Sequence, residues 1–166
     1  MRKVAHRICN AQGIPLISLY RPRKMAQLPE TGPAICVNWS SAFPREMLEH
    51  PEARFLHVIR DPRDILLSGL RYHRIAGRGN EKFLRQKRDE WGGRNYQDYL
   101  NSLPSEHDQL LFEMAHKHDE TLREMCNWDY SHAHSVELAY EDLIEDRDCS
   151  LFRSALETVA IEGLDL

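Results

Sequence analysis

The stretch Arg54-Phe-Leu-His-Val-Ile-Arg-Asp-Pro-Arg-Asp-Ile-Leu-Leu-Ser68 decides how the rest of the chain is read. Phe55 to Ile59 is a short apolar run rich in strand formers, of a length that suits a buried parallel strand. Asp61 is placed to cap a helix, Pro62 to open it with φ already set, and Asp64 to sit near the positive end of its dipole. The helix then runs on through Ile65, Leu66, Gly69, Tyr72 and His73. The unit is strand, tight turn, helix. Arg60 falls at the carboxyl end of the strand, where open α/β sheets bind ligands. Ser68 follows the cap by seven residues. At about 100° per residue it returns to the side of the helix that carries Asp61 and Asp64. A planar guanidinium from Arg60 and a small hydroxyl donor from Ser68 could then converge on one anion. The same residues also suit an Asp-Pro helix start with a structural Arg–Asp pair and a solvated serine.

Arg60-Asp61-Pro62-Arg63-Asp64 followed by Ser68 resembles the 3′-phosphate-binding motif of sulfotransferases that use 3′-phosphoadenosine 5′-phosphosulfate (PAPS). Val136-Glu-Leu-Ala-Tyr-Glu-Asp-Leu143 is similar to a later strand of that family, which ends in Tyr-Glu-Asp-Leu. Ala34-Ile-Cys-Val-Asn-Trp39, with Phe43-Pro44-Arg45, stands in the place of the strand before the phosphate motif. Together these segments cover residues 34–145 in the family's order. The resemblance implies an α/β, P-loop-type three-layer fold, with a central parallel sheet flanked by helices. It implies a single, partial sulfotransferase domain over residues 1–166. It implies an enzyme that moves a sulfuryl group from PAPS, as co-substrate, to a hydroxyl or amine of a small-molecule, carbohydrate or other hydroxylated acceptor. Arg60 and Ser68 would hold the 3′-phosphate, and no metal is needed.

The sequence also departs from the family. A loop similar to Pro-Lys-Ser-Gly-Thr-Thr, which cradles the 5′-phosphosulfate, does not occur before the first helix. Nothing after Glu162 resembles the later Arg-Lys-Gly-like segment. The fold is therefore expected to be incomplete. A non-catalytic or truncated nucleotide-binding fragment of the same family is the alternative reading. The small cytosolic members carry a catalytic His after the strand preceding the motif, yet Val37 to Trp39 offers none. Asn38 or Ser40 could orient an acceptor, but neither is a base at neutral pH. Other branches use a Glu, for which Glu30 is the nearest candidate. The catalytic base stays unassigned.

Composition narrows the classes. With 166 residues, 42% hydrophobic and 29% charged, the chain is long enough for one globular domain with a sizeable core. No run of about 18 apolar residues and no secretory h-region occurs, so neither a membrane span nor export is expected. Cys9, Cys36, Cys126 and Cys149 are scattered without a Cys-x-x-Cys pair. They read as reduced thiols of a cytoplasmic protein rather than a disulfide framework or zinc site. Charge is uneven around its net of −4. Residues 1–29 carry six Lys/Arg and no acid, while residues 95–166 carry four basic and seventeen acidic residues. Local basic segments suit a polyanionic small ligand, and the overall balance argues against broad nucleic-acid binding. No Gly-x-x-x-x-Gly-Lys-Ser/Thr run supports a P-loop kinase.

Around the central unit, apolar period predicts a helix over 1–12 stopped by Gly13, and short strands over 14–19 and 34–39. Arg21, Arg23 and Lys24 fall in a proline-punctuated loop. A short helix over 44–50 should begin with Pro44. Residues 71–94 read as a solvated amphipathic helix, or as a basic and aromatic surface facing single-stranded nucleic acid or an acceptor. Gly92-Gly93 marks a turn. A helix over 95–103 should turn Tyr96, Tyr99, Leu100 and Leu103 inward. Ser105 with Asp108 should cap a long helix to about Asn127, with Leu110, Leu111, Met114, Ala115, His118, Leu122 and Met125 as its apolar face. His116/His118 on a helix point apart, and His132/His134 lack Cys or carboxylate partners at ligand spacing, so no metal site is assigned. A strand over 135–140, a polar turn over 141–147 and a helix over 148–161 complete the expectations.

Overall fold

The protein is described by a computed structural model for residues 2–19, 28–29, 31–77 and 81–159. Arg21, Arg23, Lys24 and Glu30 lie outside the described residues, as does the end of the expected last helix. In chain order the first elements are α1 (Arg2–Gln12), β1 (Leu16–Ser18), β2 (Ile35–Val37), α2 (Arg45–Leu48) and β3 (Phe55–Ile59). There follow α3 (Pro62–Ile75), α4 (Tyr96–Ser102), α5 (Glu106–Glu113), α6 (Asp119–Asn127), β4 (Ser135–Ala139), α7 (Tyr140–Glu145) and α8 (Ser150–Thr158). The chain divides into two compact units, residues 1–59 with 127–166, and residues 60–126.

The first unit holds all the described strands. α1 ends where Gly13 turns left-handed at φ 67°, so that the Ile14 amide donates to the Cys9 carbonyl at 3.0 Å. Its Ile8 and Cys9 are buried, as are Ile17 and Leu19 at β1. β1 pairs in parallel with β2, Leu16 against Ile35. Pro15, which has no amide to give, serves that pair through its carbonyl, which accepts from the Ile35 amide. β3 pairs in parallel with β4 from Phe55↔Ser135 to Ile59↔Ala139. Parallel pairing and a mixed helix–strand architecture are thus as expected, in the form of two separate two-stranded sheets. α8 buries Ala155 and Leu156. The Asp146 carboxylate serves its first turn by accepting from the Leu151 and Phe152 amides. These contacts, the Phe152 amide first, hold that carboxyl below its usual range.

Two local expectations need correction in this unit. Pro44 is the extended residue before α2, at ψ 143°, rather than its first helical residue. Residues 141–147 do not form a polar turn. The chain passes directly from β4 into α7, whose first turn places Glu141 and Asp142 at the positive helix end.

In the second unit, α3 starts as read: the Asp61 carboxylate accepts from the Arg63 amide at 2.8 Å and Pro62 opens the helix. Leu70 and His73 are its buried residues, whereas Tyr72 is 39% exposed. Asn95 and Ser105 cap α4 and α5 by accepting from the Asp98 and Asp108 amides. From α5 the chain stays helical through a π turn, Met114–His118, into α6, giving the long helix expected. The core joins Leu70, Leu84, Trp91, Tyr96, Leu100 and Phe112. Tyr99 and Leu103 pack against it, as their spacing predicted.

Residues 71–94 are not one amphipathic helix. After Ile75 they make two 3₁₀ turns, Lys82–Arg85 and Asp89–Trp91, and Lys87 bridges to Asn95. Gly92 and Gly93, both at positive φ, turn the chain back. Trp91 is buried, so it offers no stacking surface. The inward face of the long helix also differs. Leu111 and Met114 are half exposed, and Gln109, Phe112 and Glu113 are buried instead, while His118 is buried as expected. A buried carboxylate with fixed partners rotates that face away from the purely apolar stripe, and the wider π turn changes its phase.

Candidate functional site

Arg60 follows β3 directly, with its side chain one-third exposed. Its Nη2 lies 3.7 Å from Asp64 Oδ2, a loose i,i+4 ion pair of the kind that stabilises by well under about 1 kcal/mol. Arg63, by contrast, binds Asp61 tightly through Nε at 3.0 Å and Nη2 at 2.6 Å. Those bonds hold the Asp61 carboxyl down to about 2. Ser68 stands exposed on α3, about 10 Å along the axis from the cap at 1.5 Å per residue. The two expected phosphate ligands therefore share one strand-end and helix unit. Around them, Asp61 is bound by Arg63, and Asp64 lies within ion-pair distance of Arg60.

A second constellation, which sequence reasoning missed, lies wholly in the first unit. Parallel register sets His57 beside Glu137 on the same face of the β3–β4 pair. His57 Nδ1 meets Glu137 Oε2 at 2.5 Å, and His57 Nε2 meets Ser41 Oγ at 2.8 Å. The other carboxylate oxygen accepts from the Trp128 indole at 2.8 Å and from the Ser135 hydroxyl at 3.2 Å. Phe43, Phe55 and Trp128 pack edge to face, and the Trp128 ring lies 4.5 Å from that of His57. Ser41 is half-buried in the loop after β2. Asn38 shapes that loop. Its Oδ1 accepts from the Ser40 amide at 3.0 Å, and its Nδ2 donates to the Ala42 carbonyl at 2.7 Å. The signal available in the sequence was the pair of polar residues interrupting two otherwise apolar strands, His57 and Glu137. Their register was not available.

A third cluster sits inside the second unit. Glu113 accepts from His73 Nδ1 at 2.9 and 3.0 Å and from the Tyr96 hydroxyl at 2.9 Å. His73, Tyr96 and Glu113 are 6%, 3% and 1% exposed. Burial first, and the Glu113 charge next, push the Tyr96 hydroxyl far above its usual range. The cluster is sealed, so it positions the fold and offers no surface for a substrate.

The remaining histidines and thiols are placed otherwise. His116 Nδ1 meets the Phe112 carbonyl, and His132 Nε2 the Leu48 carbonyl. Among the described residues no group of three metal-ligating side chains converges. All four cysteines are free. Burial, and then the neighbouring Cys9, push the Cys36 thiol up to about 11, so it is no poised thiolate. Comparison of the chain with protein-family models, with curated proteins and with solved structures returned no match.

Proposed function

We propose that the chain is a PAPS-dependent sulfotransferase domain of the P-loop-type α/β class, working in a reducing compartment such as the cytoplasm. The observation that carries this reading is the strand end and capped helix around Arg60. The strand β3 stops, Asp61 caps, Pro62 opens α3, and Ser68 is presented two turns along. Tyr140-Glu-Asp-Leu143 directly after β4, the parallel partner of β3, supports it as the second motif in family order.

In this reading Arg60 exchanges its loose contact with Asp64 for phosphate oxygens. Such a charge-assisted bond is shorter and stronger than the exposed pair it replaces. Ser68 adds a neutral donor to the same 3′-phosphate. That phosphate does not react, so its binding serves to place the donor. The transfer is an in-line displacement. A bond forms between the acceptor oxygen or nitrogen and sulfur, the bond from sulfur to the phosphate oxygen breaks, and the acceptor's proton leaves to a base. The acceptor is a hydroxyl or amine compound.

Calorimetry with adenosine 3′,5′-bisphosphate tests the assignment. Binding should weaken about 10- to 100-fold in Arg60→Ala, the loss of about 1.5–3 kcal/mol for a hydrogen bond to a charged group. Arg85→Ala, which removes an exposed arginine on a 3₁₀ turn, should leave it unchanged. Equal losses in both variants, or no binding to the unaltered chain, would discard the site.

A further inference from the structure

We propose that Ser41, His57 and Glu137 are a nucleophilic catalytic site that cleaves small esters with an aromatic or apolar group, separate from the residues assigned to PAPS. Each nitrogen of His57 faces the partner that this chemistry requires. A carboxylate can only accept, so Nδ1 carries the proton toward Glu137 Oε2 at 2.5 Å. In the neutral tautomer with that proton on Nδ1, Nε2 is the acceptor, and the Ser41 hydroxyl, 2.8 Å away, is its donor. A nucleophile and an orienting carboxylate, each within hydrogen-bond reach of opposite nitrogens of one histidine, are the geometric signature of an activated serine.

The supports of the three groups are equally specific. Trp128 and Ser135 occupy the second oxygen of Glu137, which fixes the carboxylate plane against the imidazole. Asn38 ties the chain on both sides of Ser41. Tyr130, 49% exposed, lies 6.0 Å from the His57 ring, and Trp39, on the same loop as Ser41, is 60% exposed. Exposed aromatic surface next to the nucleophile favours an apolar or aromatic ester over a charged one.

The reaction balances with water as the second substrate. Ser41 Oγ bonds to the ester carbonyl carbon while its proton passes to His57 Nε2. The carbon–oxygen bond to the alcohol breaks, and the alcohol leaves with that proton. Water then attacks the acyl-serine, gives its proton to His57, and the carboxylic acid departs as Ser41 regains the hydrogen.

An alkyl fluorophosphonate tests the serine, with intact-mass and peptide mapping, alongside hydrolysis of p-nitrophenyl butyrate. A single adduct on the peptide bearing Ser41 is expected. Ser41→Ala should abolish it, His57→Gln and Glu137→Gln should slow it at least 100-fold, and Ser154→Ala, on exposed α8 surface, should not change it. Ser41→Cys keeps the geometry without relying on a destabilised sheet. Its new thiol should react with iodoacetamide at least 10-fold faster than exposed Cys149. No adduct on folded protein, labelling that survives Ser41→Ala, or a new thiol no faster than Cys149 would overturn the proposal.

Discussion

The two units each contain a histidine bound to a glutamate, and the two pairs are put to opposite uses. In the second unit, His73 spends Nδ1 on both oxygens of Glu113, and Tyr96 donates to the same carboxylate. The cluster is buried, and a Cβ at Gly69 would stand in ordinary van der Waals contact with it, 3.4 Å from Glu113 Oε1. In the first unit, His57 and Glu137 remain 11% and 25% exposed, and Nε2 is left for a hydroxyl. Identical side chains thus give a fixed buried network in one case and a polarised proton acceptor in the other. What separates them is access and the identity of the third partner. A buried pair is weak evidence for net stability, but it is costly to break because the surviving partner stays buried without its complement.

The largest effect should follow from breaking the sealed pair. Glu113→Ala strands His73 and the Tyr96 hydroxyl in the core, and should lower unfolding free energy by about 3–5 kcal/mol in urea titrations. Glu137→Ala leaves groups that water can reach, and should cost about 1–2 kcal/mol. Equal losses would mean that the open pair is as structural as the closed one.

An alkaline limb comes next. The folded state raises the Tyr96 pKa, whereas the unfolded chain releases that proton near pH 10. Stability is therefore fully present below about pH 10 and is lost as pH rises above it, because the unfolded state then binds fewer protons. Melting temperature should fall more steeply above pH 10 in the unaltered chain than in Tyr96→Phe. Parallel curves would show that the phenol is not sealed by Glu113.

The contrast also explains what could be read in advance. Gly13, Asp61 with Pro62, Asn95 and Ser105 act on backbone within a few residues, so their roles were written locally. Both histidine–glutamate pairs join residues far apart in sequence, 40 positions in one case and 80 in the other. Periodicity counts apolar residues. It therefore turned Leu111 and Met114 inward and could not foresee that Glu113 would occupy the core. Phe83 and Leu84 matched a helical spacing in the same way, yet the turn at Gly92-Gly93 and the bridge of Lys87 to Asn95 hold that segment in short turns. Arg60 and Ser68 were legible as neighbours on one unit because strand end, cap and helix are consecutive. Ser41 was not, since only the fold brings its loop to His57.

The smallest effect lies at the surface, where Asp61 and Arg63 show what an ion pair does without burial. Hydrogen bonds from the Arg63 side chain, then from its amide, hold Asp61 down to about 2. A depressed carboxyl contributes stability that is complete above about pH 4 and is lost as pH falls toward 2. Two effects are combined there, the cap on α3 and the charge on the cap. Asp61→Asn separates them, because asparagine caps as well as aspartate but does not titrate. Between pH 5 and pH 2.5 the urea midpoint of the Asn variant should drop less than that of the unaltered chain, while Asp61→Ala should start lower at pH 5. Half-molar salt should shrink the difference between Asp and Asn, since exposed charges are screened over a few ångströms, and should leave the deficit of the Ala variant intact. A salt-insensitive difference would show the Asp61–Arg63 pair to be shielded from solvent, and would place it with Glu113 rather than with the surface.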